Sequence, residues 1–216
     1  MIKANHNIAA EILYKPYVKR LLRSSFNRFV LTNSIPDISG LKGLIVTPNH
    51  FSWWDGFFAE YLMRKFTGRK LYIMMLEDQL KKYPFFKYLG AFSIKPGSVK
   101  SVADSLKYAK EIAASSESYL VFYPQGEIQK YEAEHVKLKS GLTAFSDSEK
   151  TDVLIVSFKI VYGNEKKPDV FCRFHDKLLS IGSEEDFRFY EKVFLNNIVM
   201  LNKDLISCKG KDLFLN

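Results

Sequence analysis

Cysteine is almost absent, with only Cys172 and Cys208 among 216 residues. Two cysteines so far apart supply neither a disulfide framework nor a metal-ligand spacing, which points to a reducing compartment. No apolar run approaches the ~18 residues of a bilayer span. The N-terminus also lacks the apolar stretch and cleavage site of a secretory leader, so a chain kept in the cytoplasm is expected. There is no phosphate-cradling glycine loop, metal cluster or nucleic-acid motif, and no internal repeat or low-complexity linker. His135 and His175 have no placed partners, and they read as satisfied or surface histidines.

What is present is an apolar, aromatic and basic chain. Hydrophobic residues make up 47%, with 18 Phe and 12 Tyr, a globular composition large enough for one substantial core. The formal net charge is +8. Residues 1–30 carry Lys3, Lys15, Lys19, Arg20, Arg23 and Arg28 against Glu11, which supplies +5 of that total. Pro16 suits a helix first turn, predicting a short helix before it and a longer one over 17–30. On that longer helix Val18, Leu21, Leu22, Ser25 and Phe29 share one face. Arg20, Arg23 and Asn27 lie opposite, flanked by Lys19 and Arg28. Such a helix either lies in an anionic membrane surface or docks its apolar face on a core, and composition does not choose between the two.

Beyond residue 35 short apolar runs alternate with helical patterns. Strands are expected at 43–47, 71–75, 91–94, 119–123 and 153–161, with an edge strand at 170–175. Met74, Met75 and Leu76 read as core. Helices are expected over 55–66 and 99–114, and a C-terminal helix through Phe187, Tyr190, Phe194, Ile198 and Leu201 is capped by Ser183 and Asp186. The pattern predicts an α/β fold, a mostly parallel sheet flanked by helices. It also divides the chain into a membrane-contact segment, 1–35, and a domain, 36–216.

Ligands of such sheets bind beyond the carboxyl ends of the strands. "NHFSWWD" follows one predicted strand and "PQGE" follows another, so both fall at the same rim. His50 and Asp55 would be roughly 140° apart on a continuous helix. A loop His50 facing a helical Asp55 serves better: the carboxylate fixes one ring nitrogen, and the other becomes a base for a hydroxyl or amine. Gly126, in a turn after Pro124, lets backbone approach a ligand, and free N–H groups of that turn are expected to help hold an oxyanion.

In order, "NHFSWWD" (49–55), "GAFSI" (90–94), "FYPQG" (122–126) and "VLIVSF" (153–158) resemble the blocks of the glycerolipid acyltransferase superfamily, which includes lysophosphatidic acid acyltransferases. "KSGLTAF" (139–145) resembles the segment after the third block. The resemblance covers roughly residues 40–160. It implies His50 as general base, Asp55 as its orienter, and Trp53, Trp54, Lys95, Pro124, Gln125, Gly126 and Glu127 around the substrates. It implies direct attack on an acyl thioester of coenzyme A or acyl carrier protein, with no bound cofactor or metal, although Ser52 and Cys172 are conceivable nucleophiles. A lipid acceptor on an anionic membrane surface would be met peripherally, from the cytoplasmic face, through Lys19, Arg20 and Arg23.

The departures concern the acceptor. Where the family has Ile-Asp-Arg, this chain has Ile94, Lys95 and Pro96. Where it has Pro-Glu-Gly-Thr-Arg, this chain has Pro124, Gln125, Gly126, Glu127 and Ile128. Both arginine forks for an acceptor phosphate are missing, and Lys95, Lys130, Lys137 or Lys139 could replace them only as point charges. A glycolipid, aminolipid or pigment-type hydroxyl therefore competes with lysophosphatidic acid. The rival activities are a thioesterase or lipid hydrolase using the same base, and a non-enzymatic basic membrane-binding module.

Overall fold

The computed structural model describes all residues except 132–135, 208–209 and 216, so His135 and Cys208 lie outside the described residues. Helix α1 (Ile8–Ser25) leads to β1 (Phe29–Leu31) and β2 (Gly43–Pro48). Then come α2 (Asp55–Met63), β3 (Lys70–Leu76), α3 (Glu77–Lys82), a 3₁₀ turn (Pro84–Leu89) and β4 (Ala91–Ile94). Helix α4 (Val99–Ala113) and β5 (Ser118–Val121) precede β6 (Thr151–Val161) and β7 (Asp169–Phe174), and α5 (Glu184–Ser207) and β8 (Lys211–Asp212) follow.

The strands form one eight-stranded sheet in the order β4-β3-β5-β2-β6-β7-β1-β8. Its pairs are parallel except β6–β7 and β1–β8. The apolar runs of β2, β5 and β6 are covered on both faces, as a parallel sheet requires. One core layer joins the sheet to α1 and α2 through Val18, Leu22, Phe58 and Leu62; the other joins it to α4 and α5 through Ala109, Ile112, Phe194 and Ile198. Asp186 accepts from the Gly182 and Ser183 N–H groups while the Ser183 hydroxyl accepts from Asp186 N–H, the expected cap of α5.

Several expectations change. Helix α1 runs unbroken through Pro16, whose lost hydrogen bond is offset by burial of Val18 and Leu22 on either side of the next turn. It ends at Ser25, and Phe29, read as its last apolar position, instead begins β1. Residues 1–35 thus share the sheet and core of the remainder. Strand β7 is interior, because β1 pairs along its far side. Leu76 is exposed rather than core.

Among the described residues two charged side chains of α2, Asp55 and Glu60, are buried. Glu60 on α2 is 7% exposed, and its partner is Arg64, 3.4 Å away. Burial pushes its carboxyl above the ordinary carboxylate range, outweighing the pull of Arg64 and Lys15. A raised folded-state pKa means that the folded chain loses stability as pH rises from the unfolded carboxylate range, about 4.3, through the folded one. Glu60→Gln is therefore expected to raise the melting temperature at neutral pH, with the gain vanishing in acid. Thermal melts across pH check this; a lower melting temperature at neutral pH would show that the Arg64 pair outweighs burial.

Candidate active site

Strand β2 ends at Pro48, and the loop that follows is fixed by two side-chain amides. The buried Asn49 amide donates to the Phe158 carbonyl at 2.9 Å and accepts the Phe158 N–H at 2.7 Å, extending the β2–β6 ladder by a side chain. The Gln125 amide does the same from the other strand: its oxygen accepts the His50 N–H, and its nitrogen donates to the His50 carbonyl at 3.1 Å. A peptide N–H only donates and its carbonyl only accepts, which fixes the orientation of both amides. The Gln129 N–H also donates to the His50 carbonyl, at 2.9 Å. These contacts pin the His50 backbone between β6 and the turn after β5.

The loop then folds back on Asp55, the first residue of α2 and fully buried. One carboxylate oxygen lies 2.9 Å from His50 Nδ1 and accepts the Phe51 and Ser52 N–H groups at 2.8 and 2.9 Å. The other accepts the Ser52 hydroxyl at 2.8 Å. Four hydrogen-bond partners at one buried carboxylate fix its position. With Nδ1 committed, Nε2 is the ring nitrogen left to take a proton, and 22% of the His50 side chain remains open. The ring lies against Tyr123, centroids 4.1 Å apart and planes 22° from parallel. Burial, then the charge of Asp55, pushes the Tyr123 phenol well above its ordinary range, so it presents a neutral wall.

The turn after β5 completes the rim. Pro124 and Gln125 are buried, whereas Gly126 and Glu127 are exposed. Gly126 adopts φ 72°, and a Cβ there would come within 3.0 Å of the Lys139 side chain, so glycine answers both the backbone and the close approach. Its N–H closes the turn on the Tyr123 carbonyl at 3.0 Å and is not available to an oxyanion, contrary to expectation. Lys139 donates its backbone N–H to the Pro124 carbonyl and places its ammonium 3.9 Å from Glu127.

Of the other expected site residues, Trp53 is 55% exposed beside the loop, and Trp54 is half-buried against Phe26 and Phe58. Lys95 follows β4 at the sheet edge, where its charge bears on Glu77; β4 is three strands from β2. Ser52 spends its hydroxyl on Asp55, and Cys172 is buried in β7 with its thiol pushed well above the ordinary range by burial, so neither is poised as a nucleophile. Lys19 and Arg20 are exposed on α1. Arg23 instead donates to the Phe214 carbonyl and lies over the Phe214 ring, 5.8 Å from its centroid. Asn49, Tyr123 and the clamp made by Gln125 were not foreseen. An amide beside each motif was the available signal.

The chain matches the family model described as Acyltransferase over residues 28–161. No curated protein matches it. Among solved structures, the pilus retraction motor PilT with bound ADP aligns at 10% identity and a TM-score of 0.31, covering 79% of this chain and 55% of that one. So weak a likeness carries no argument. Among the described residues no helix is long and apolar enough to cross a membrane.

Proposed function

Because the chain belongs to the acyltransferase family, we propose that it moves a fatty acyl group from a coenzyme A or acyl carrier protein thioester to a hydroxyl or amine of a lipid acceptor at a membrane surface. The observation that carries the reading is the His50–Asp55 pair, with Nδ1 held at 2.9 Å by a carboxylate that four donors immobilise. Nε2 takes the acceptor proton as the oxygen or nitrogen attacks the thioester carbonyl. The tetrahedral intermediate collapses, the C–S bond breaks, and the departing thiolate takes a proton from the imidazolium. Asp55 holds the ring orientation throughout and stabilises its charged form. No acyl-enzyme is involved.

The rim supports a neutral or amino acceptor. Ile94-Lys95-Pro96 and Glu127-Ile128 stand where the family carries its arginine forks, and the cation nearest Gly126, Lys139, faces the Glu127 carboxylate. Lysophosphatidic acid is expected to be a poorer acceptor than a neutral glycolipid or aminolipid offered with the same acyl thioester. Competition assays that follow acylated lipid and free fatty acid together test both points. Preference for the phosphate acceptor would overturn the acceptor assignment. Release of free acid regardless of acceptor would make the chain a hydrolase.

A further inference from the structure

The apolar face read on α1 is not available to a membrane, because Val18 and Leu22 are fully buried in the core. Another surface carries exposed apolar side chains beside the candidate site. Val46, Val121 and Ile73 stand at one level of the parallel sheet. Leu76 lies three residues beyond that level and His50 four, so the start of α3 and the His50 loop share one rim. From there residues 81–85, Lys-Lys-Tyr-Pro-Phe, are exposed in unbroken succession.

Leu76, Tyr83 and Phe85 are 37–47% exposed, and Trp53 of the His50 loop is more so. Ring contacts carry the patch from one to the other: Trp53 lies 4.9 Å from Phe57, Phe57 6.1 Å from Phe86, and Phe86 6.2 Å from Tyr83. Phe57 and Phe86 form its inner side, packed on the core. Residues 76–86 hold Glu77 and Asp78 against Lys81 and Lys82, so the segment is neutral and offers its rings rather than a charge. The Lys82 ammonium lies over the Tyr83 ring, 5.4 Å from its centroid. Tryptophan and tyrosine at the edge of an apolar patch, with a lysine folded over a ring, suit the boundary between water and lipid.

We propose that Trp53, Leu76, Tyr83 and Phe85 enter the interfacial layer of a lipid bilayer and seat the His50 rim on it. An exposed apolar patch of this kind marks either a protein or a membrane contact. Its position selects the membrane. A protein partner or a second copy of this chain seated there would stand over the rim where a membrane-borne acceptor must reach His50, whereas a bilayer delivers that acceptor. The inference rests on the membrane-surface part of the function proposed above, and it places the lipid contact after β3 rather than on segment 1–35.

Vesicle co-sedimentation and tryptophan fluorescence of the full chain test it. Wild type is expected to bind neutral phosphatidylcholine vesicles in high salt, where attraction between exposed charges is screened. Tyr83→Ser/Phe85→Ser is expected to weaken that binding about a hundredfold, roughly tenfold for each half-exposed ring. Phe189→Ser, exposed on α5 in the opposite layer, is expected to leave it unchanged. In Trp54→Phe, Trp53 is the remaining tryptophan. Its emission is expected to shift to the blue with vesicles and to be quenched by brominated acyl chains. Should Trp54→Phe perturb folding, wild type gives the same readout, because Trp53 is the more exposed of the two. The proposal is overturned if wild type does not bind, if Tyr83→Ser/Phe85→Ser binds as wild type does, or if Phe189→Ser loses as much. It is also overturned if Trp53 is not quenched, or if the chain is a dimer that Tyr83→Ser/Phe85→Ser converts to monomer. Turnover on a short soluble acceptor reads the chemistry separately. Lost vesicle binding with intact turnover supports the proposal, and absent turnover with a quenched Trp53 counts against the acyl-transfer reading alone.

Discussion

His50→Ala is expected to lower acyl transfer by about 10²–10⁴-fold, the range for removing a positioned general base, with a near-native melting temperature. The stability half follows from the contacts. The imidazole bonds Asp55 and stacks on Tyr123, and without it the carboxylate still accepts from Phe51 N–H, Ser52 N–H and the Ser52 hydroxyl. Asp55→Asn behaves differently. Its amide nitrogen can sit opposite the Ser52 hydroxyl, turned to accept. Its neutral oxygen then holds the Phe51 and Ser52 N–H groups more weakly, about 0.5–1.5 kcal/mol per bond against about 1.5–3 for bonds to a charged group. Asp55→Asn is therefore expected to lose both turnover and stability, His50→Ala turnover alone. Parallel kcat and melting measurements separate the two. A well-folded His50→Ala protein with near-wild-type turnover would sink the mechanism.

Gln125→Glu is expected to be nearly as damaging, although it changes one atom. The Gln125 side chain is 1% exposed and meets the His50 peptide with one acceptor and one donor. A carboxylate keeps the acceptor but turns an oxygen toward the His50 carbonyl, in place of a donor 3.1 Å away. The loop must shift to relieve that repulsion, and displacing a base by about 1 Å costs on the order of a hundredfold in rate. Protonating the introduced carboxyl restores a donor, so its folded-state pKa is raised above the unfolded value. The defect is then full at neutral pH and shrinks as pH falls toward the unfolded carboxylate range. Wild-type stability and turnover for Gln125→Glu at neutral pH would show that the clamp does not position His50.

The parts of this molecule legible in the sequence are those whose signal is local. The apolar runs of β2 and β6 and the Ser183–Asp186 cap came from periodicity and short-range chemistry, and the placing of His50 and Gln125 at one rim followed from strands ending just before them. What was hidden depends on partners distant in sequence. Phe29–Leu31 satisfies a helical pattern, and only pairing with β7 makes it a strand. Asn49 acts on Phe158, 109 residues away, and nothing near Asn49 announces it. The exposed Ile8, Ile12 and Leu13 of α1 lie before Pro16, ahead of the helix projected over 17–30, and a projection shows which residues share a face, not which face the core takes. The turn at Gly126 looked open, but its N–H is consumed by the Tyr123 carbonyl, a bond that appears only once the turn type is known.

Strand β1 has a consequence for how the chain comes off the ribosome. Its parallel partner begins at Val170, 141 residues after Phe29, and its other neighbour, β8, is synthesised later still. At roughly 5–20 residues per second, β1 waits on the order of ten seconds before either neighbour exists. Helix α1 faces the same delay at its inner end, because Arg23 is anchored to Phe214. Through that interval Phe29, Val30 and Leu31 are unpaired and the inner end of α1 lacks its Phe214 anchor, while α2, β2, β3, β4 and β5 can already associate. A nascent chain at that stage offers an open apolar strand to whatever binds such segments, so holdase chaperones would meet this protein before its own C-terminus does.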